Sequence, residues 1–113
     1  MNYGEMKSLL LGTSDPVLRL ELLMDIGRGL PPLPDGVSGA EIKGCASRVE
    51  IWRGGDGKFY GSADSLLVRG MVAVLLAMKE ENVDFGEFSK LGLNLGAARL
   101  NGAGAMIAYL RNL

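Results

Sequence analysis

The spacing of apolar and polar positions predicts two helices, a small sheet, then three more helices. Tyr3 to Leu11 reads as a short first helix closed by Gly12. Asp15 then offers a cap and Pro16 a first helical residue. Val17, Leu20, Leu23, Met24 and Ile26 follow at helical spacing, with Arg19, Glu21 and Asp25 largely between them. This second helix stops near Gly27 to Gly29, since glycine readily ends helices. Leu30-Pro31-Pro32-Leu33-Pro34 has three prolines in close succession and cannot be helical. It predicts an extended, stiff connector that packs its leucines on the core; a ligand for a proline-binding module is the alternative. Asp35-Gly36 makes a turn.

Strands follow. Ala40 to Lys43 is a short one, and Ser47 to Arg53 alternates more clearly. In it Val49 and Ile51 point one way, Val49 toward the core, and Arg48, Glu50 and Trp52 the other. Trp52 is expected to cover the opposite face or to form part of a partner surface. Gly54-Gly55-Asp56-Gly57 is a hairpin turn, and Lys58 to Ser62 the return strand. A phosphate-cradling reading of the glycines fails, because no Lys-Ser/Thr follows them.

Asp64 can cap the next helix, or Ser65 if the boundary lies one residue later. From Leu66 to Met78 that helix is apolar almost all round, the mark of a helix covered on several sides. Gly70 within it is expected to allow a close approach to the sheet, at a cost of ~1 kcal/mol in helix propensity. Asn82 to Leu93 reads as a turn and a short helix, with Asp84 and Glu87 at capping-box spacing and Gly92 as the stop. The last helix starts around Ala97 to Leu100 with an apolar stripe of Met106, Ile107 and Leu110, and Arg111 suits its C-terminal dipole. The pattern is α+β, with about three antiparallel strands in the middle packed against helices.

With 113 residues, 48% of them hydrophobic, the chain suits one domain spanning 1–113. Twelve basic residues nearly balance thirteen acidic ones and no block of like charge occurs, so neither nucleic acid nor a membrane surface is an expected partner. The apolar run Met71 to Met78 is too short to span a bilayer. Met1-Asn2-Tyr3-Gly4-Glu5 lacks the basic and apolar regions of a signal peptide, so a cytoplasmic location is expected.

Cysteine and histidine counts narrow the chemistry further. There is one cysteine, Cys45, and no histidine. No internal disulfide, no zinc site of cysteines and histidines, and no self-contained iron–sulfur site can be assembled. Cys–His and Ser–His–Asp mechanisms are excluded, which leaves a stand-alone thiol hydrolase without a base. Cys45 lies between two strands in Lys43-Gly44-Cys45-Ala46-Ser47-Arg48, at a loop tip. Lys43 and Arg48 favour a thiolate if the loop folds them inward. An unperturbed thiol, of pKa ~8.5, is only a few per cent ionised at neutral pH. A mobile thiol with no base of its own suits exchange: it attacks a persulfide on another protein and takes the terminal sulfur. A loop that retracts into an apolar pocket would shield the product. The contrasting reading is a noncatalytic interaction domain in which Cys45 is a small buried hydrophobe.

Four stretches occur in the order seen in SufE-like proteins: Leu30 to Pro34; Ile42-Lys43-Gly44-Cys45-Ala46-Ser47-Arg48-Val49; Asp64 through Val68-Arg69-Gly70; and Arg99-Leu100-Asn101-Gly102. The resemblance runs from about Leu18 to the C-terminus. It departs from the family pattern at Glu50, where Trp is usual, with Trp52 two residues later; at Ser62-Ala63-Asp64, in place of Asp-Ser-Asp; and at Asn94, where histidine is common. The resemblance implies an α+β fold shared with IscU-type scaffolds. It implies a carrier rather than an enzyme, one that takes sulfur from a cysteine desulfurase of SufS or CsdA type onto Cys45, stimulates that desulfurase, and passes the sulfur to an iron–sulfur scaffold or another acceptor. Pyridoxal phosphate then belongs to the partner, and this chain needs neither cofactor nor metal. Gly44, Ser47, Arg48, Asp64 and Arg99 would support the cysteine loop or bind the partner.

Overall fold

A computed structural model describes all 113 residues. Its order is α1 (Tyr3–Leu11), α2 (Pro16–Arg28), β1 (Ala40–Glu41), β2 (Val49–Arg53), β3 (Phe59–Ala63), α3 (Leu66–Glu80), a short 3-10 helix (Phe85–Leu91) and α4 (Ala97–Arg111). The α+β expectation is borne out.

Local chemistry sets the helix starts. The Asn2 side chain caps α1 by accepting from the Glu5 amide, and the Glu5 carboxylate accepts from the Asn2 amide in return. That reciprocal pair was not anticipated. Asp15 caps α2 by accepting from the Val17 and Leu18 amides, with Pro16 in the first helical position. For α3 the cap is Ser65, whose hydroxyl accepts from the Val68 amide; the alternative at Asp64 is not used. Asp84 and Glu87 form no reciprocal pair. Asp84 accepts from the Gly86 amide, while the Glu87 carboxylate turns to Lys7 and Lys90. The segment they open is 3-10 rather than α-helical.

The three strands form one antiparallel sheet in the order β1-β2-β3, with Ala40 opposite Ile51, Val49 opposite Ala63 and Trp52 opposite Tyr60. The return strand lies one residue later than expected, and the first two strands are shorter. Alternation holds on β2: Val49 and Ile51 are buried while Glu50 and Trp52 are half-buried. Trp52 packs on Tyr60 with ring centroids 5.3 Å apart, so part of its area is covered across the strands. The proline-rich segment is a connector. The Pro31 carbonyl accepts from the Gly61 amide of β3, and Leu30 packs on the core.

Helix α3 is apolar all round because it is surrounded. Every residue from Met71 to Met78 is buried, with α2, β3, α1, α4 and the 3-10 helix against it. Gly70 allows a close approach, but to α2 and not to the sheet. A methyl group on Gly70 would stand 2.2 Å from the Leu23 carbonyl oxygen. The sheet comes close one turn further along, where Gly61 leaves room for Val72 and Leu76. In α4, Met106 and Leu110 are buried and Ile107 is half-buried. No helix is long and apolar enough to cross a membrane.

Candidate functional site

The loop from Ile42 to Arg48 joins β1 to β2 and lies over the start of α4. Ile42 anchors it, buried in the core with its amide bonded to the Val49 carbonyl. Gly44 takes φ +90°, a backbone state that a side chain resists, and this turns Cys45 back toward the protein. The Cys45 side chain is half-buried, and its Sγ lies 3.5 Å from the Gly102 carbonyl oxygen in α4. This is a sulfhydryl-to-carbonyl contact at the length sulfur permits.

The thiol lies between two unlike spaces. Inward is an apolar cavity of about 20 Å³, lined by Val68 and Met71 of α3, Arg99, Gly102 and Met106 of α4, and the loop itself. A single water needs about 10–15 Å³, so this is room for one small group. Outward is an open hollow of about 380 Å³ whose lining includes Glu41, Lys43, Arg48 and Asp64. Cys45, Ala46 and Ser47 line both.

The cations do not fold inward as the sequence allowed. Arg48 binds Glu50 at 2.6 Å, its neighbour on the same face of β2, and Lys43 is exposed beside Glu41 at 3.7 Å. Neither of these two cations therefore partners the thiolate. Burial pushes the Cys45 thiol above its ordinary value, because a charged sulfur would lose water on this side of the loop. The resting group is a protonated, weakly nucleophilic thiol.

The other predicted residues are placed as follows. The Asp64 carboxylate accepts from the Arg48 amide at 3.4 Å and so ties the end of the loop to the start of α3. Ser47 is half-buried in the loop wall. Arg99 extends along the first turn of α4, donates to the Leu95 carbonyl at 3.4 Å, and forms no salt bridge. Cys45, Ser47 and Arg99 thus meet at the inner cavity, while Arg48 and Asp64 belong to the outer hollow. Gly102 and Met106 were not foreseen as site residues. Their signal lay in the spacing: Arg99, Gly102 and Met106 are three and seven residues apart, one face of a helix. No group of histidine, cysteine, aspartate and glutamate side chains is placed to hold a metal ion.

The structure is an α+β domain that presents its only cysteine on a loop packed against a helix. The family model described as SufE, an Fe-S metabolism associated domain, matches residues 5–113, and the chain belongs to that family. Its relatives include the sulfur acceptor protein CsdE of Escherichia coli, 34% identical over 102 residues that cover 74% of this chain and 68% of that protein. An uncharacterized SufE-like protein of Rhizobium etli is 33% identical over 112 residues, 82% of this chain and 76% of its own. Another, of Rhizobium meliloti, is 29% identical over 115 residues, 83% and 81% of the two chains.

Proposed function

We propose that this chain is a sulfur carrier of iron–sulfur cluster metabolism, with Cys45 as the atom-bearing residue. The observation that carries the reading is the placement of the only thiol. It sits at the tip of a loop turned at Gly44, between an apolar cavity and an open polar hollow, in a chain without histidine. That arrangement suits a group that is stored inward and exchanged outward.

In the exchange, the Cys45 thiolate attacks the outer sulfur of a persulfide on a cysteine desulfurase. A bond forms between Cys45 Sγ and that sulfur, the donor's S–S bond breaks, and the donor cysteine leaves as a thiolate. The electrons balance within the pair, and no further oxidant or reductant enters. The desulfurase, with its own pyridoxal phosphate, supplies the activated sulfur, so this chain contributes no cofactor and no general base. Removing the product persulfide frees the desulfurase for the next turnover, which is how the chain stimulates it. Passage to an iron–sulfur scaffold or another acceptor repeats the exchange in reverse roles. A free, exchangeable thiol fits a reducing compartment such as the cytosol.

Burial makes the resting thiol inert and leaves activation to the partner. When the loop lifts into the outer hollow, Cys45 regains water and its thiolate becomes accessible. The test is intact-protein mass spectrometry after incubation with a cysteine desulfurase, pyridoxal phosphate and cysteine. The expected result is a gain of sulfur that is lost on reduction and absent in Cys45→Ser. Equal sulfur gain in Cys45→Ser would end the reading. No gain by the native chain with several desulfurases would leave the noncatalytic interaction domain as the surviving account.

A further inference from the structure

The geometry points to Gly102 as a positioning residue for the transferred sulfur: its missing side chain leaves the berth that the outer sulfur of a Cys45 persulfide occupies. This inference rests on the carrier reading above and concerns what happens after the sulfur has arrived.

Three observations converge on the glycine. Its carbonyl faces Cys45 Sγ at 3.5 Å, which holds the side chain against α4. A methyl group built on Gly102 would have the Cys45 Sγ, Cα and Cβ atoms as its nearest neighbours, at 3.5, 3.7 and 3.8 Å. Beside this pair lies the cavity of about 20 Å³, walled by Val68, Met71 and Met106 and carrying no acidic side chain.

A persulfide adds one sulfur about 2.05 Å beyond Sγ. On the helix side that atom enters the space next to Gly102, where non-bonded heavy atoms keep ~3.5–4.0 Å from one another. The empty position at Gly102 supplies that clearance, and a methyl there would compete with the sulfur for it. The free thiol, by contrast, tolerates the methyl at ordinary contact distance. The glycine therefore distinguishes loaded from unloaded Cys45. It shields the outer sulfur from small thiols, and the cavity has room for one added atom rather than a longer sulfur chain.

The experiment compares Gly102→Ala with Gly104→Ala. Gly104 lies on the same helix, and a methyl there meets nothing within 4 Å. Both variants raise helix propensity equally, so Gly104→Ala controls for stiffening of α4. Each protein is loaded with sulfur by a cysteine desulfurase and cysteine, separated, and exposed to dithiothreitol, and the loss of the added sulfur is followed by mass spectrometry. Iodoacetamide labelling of the unloaded thiol runs in parallel. The expected result is loss about tenfold faster in Gly102→Ala than in the native chain, as access of the attacking thiol increases. Gly104→Ala should keep the native rate, and iodoacetamide should label all three unloaded proteins at similar rates. Equal retention in native and Gly102→Ala protein would overturn the berth, as would an equal acceleration in Gly104→Ala. Failure of the native chain to load at all would instead overturn the carrier reading, a separate result seen before any variant is compared.

Discussion

Gly27 of α2 lies directly against Gly70 of α3, so closely that a methyl group on Gly27 would stand 2.6 Å from the Gly70 amide nitrogen. The two helices cross backbone to backbone at this point, with Leu23 and Ile26 of α2 buried beside the contact. Glycine in a helix interior costs ~1 kcal/mol relative to alanine, and the crossing recovers this through burial of both helices. The obstacle facing a methyl on Gly70 is the Leu23 carbonyl, which is backbone and cannot swing aside. Gly70→Ala is therefore expected to destabilise the fold by about 3 kcal/mol, the upper part of the overpacking range, despite its better helix propensity. Urea unfolding followed by circular dichroism measures it. A change below about 1 kcal/mol would mean that the helices separate easily.

The start of α2 gives a smaller and cleaner effect. The Asp15 carboxylate holds two amides of the first turn, at 2.9 and 3.3 Å, on an exposed surface. Asp15→Ala should cost about 1 kcal/mol, the usual loss on removing a capping side chain. Asp15→Asn should retain most of that stability because the amide oxygen caps as well, and thermal unfolding of the two variants separates these outcomes.

Much of the fold could be read from local pattern, and the losses have physical causes. The helices, the hairpin and the buried character of α3 follow from spacing and from Asp15, Pro16 and Gly54 to Gly57, all local signals. What α3 packs against is not local. Gly70 announced a close approach, but its partner lies more than forty residues away in α2, and pattern alone assigned it to the sheet. At the site, Cys45 stood out as the only thiol, and the resemblance pointed to Arg99. Gly102 stands in the same motif as Arg99 but carries no side chain, and its contact with Cys45 exists only once the loop is folded over α4. The outward turn of Arg48 is present in the alternation, since Arg48 and Glu50 share a face, while its closeness to Cys45 in sequence favours an inward cation. The ion pair with Glu50 decides it.

Burial of the thiol fixes the sign of its pH dependence. Cys45 sits above its ordinary value because burial disfavours the charged form. The folded chain thus holds its proton to higher pH than the unfolded chain does. The stability that this gives is complete below the unfolded pKa of ~8.5 and is lost as pH rises through the folded value. Iodoacetamide labelling of the native protein should accordingly titrate with a midpoint above that of the unfolded chain. In urea the midpoint should return to the ordinary thiol range, ~8.5. A native midpoint below that range would mean that a cation reaches the sulfur, Arg99 of α4 being the one that lines the same cavity.

Arg99 separates a role in transfer from a role in folding. Arg99 lines the Cys45 cavity, its guanidinium donates to one carbonyl at 3.4 Å, and it pairs with no carboxylate. The side chain is exposed, so little packing is lost when it is removed. Arg99→Ala should unfold within about 0.5 kcal/mol of the native chain, the ordinary range for a surface substitution. The same variant should load sulfur from a desulfurase about tenfold more slowly at limiting carrier, the loss that one charge-assisted hydrogen bond of ~1.4 kcal/mol would give in a partner complex. Arg99→Lys keeps the charge but not the planar fork and should fall between the two. Stopped-time mass spectrometry of the loaded fraction, with the loading rate plotted against carrier concentration, reads both quantities. A defect that vanishes at saturating carrier places Arg99 in docking. One that persists at saturation places it at the Cys45 loop during exchange. An unchanged rate at every concentration removes Arg99 from the site.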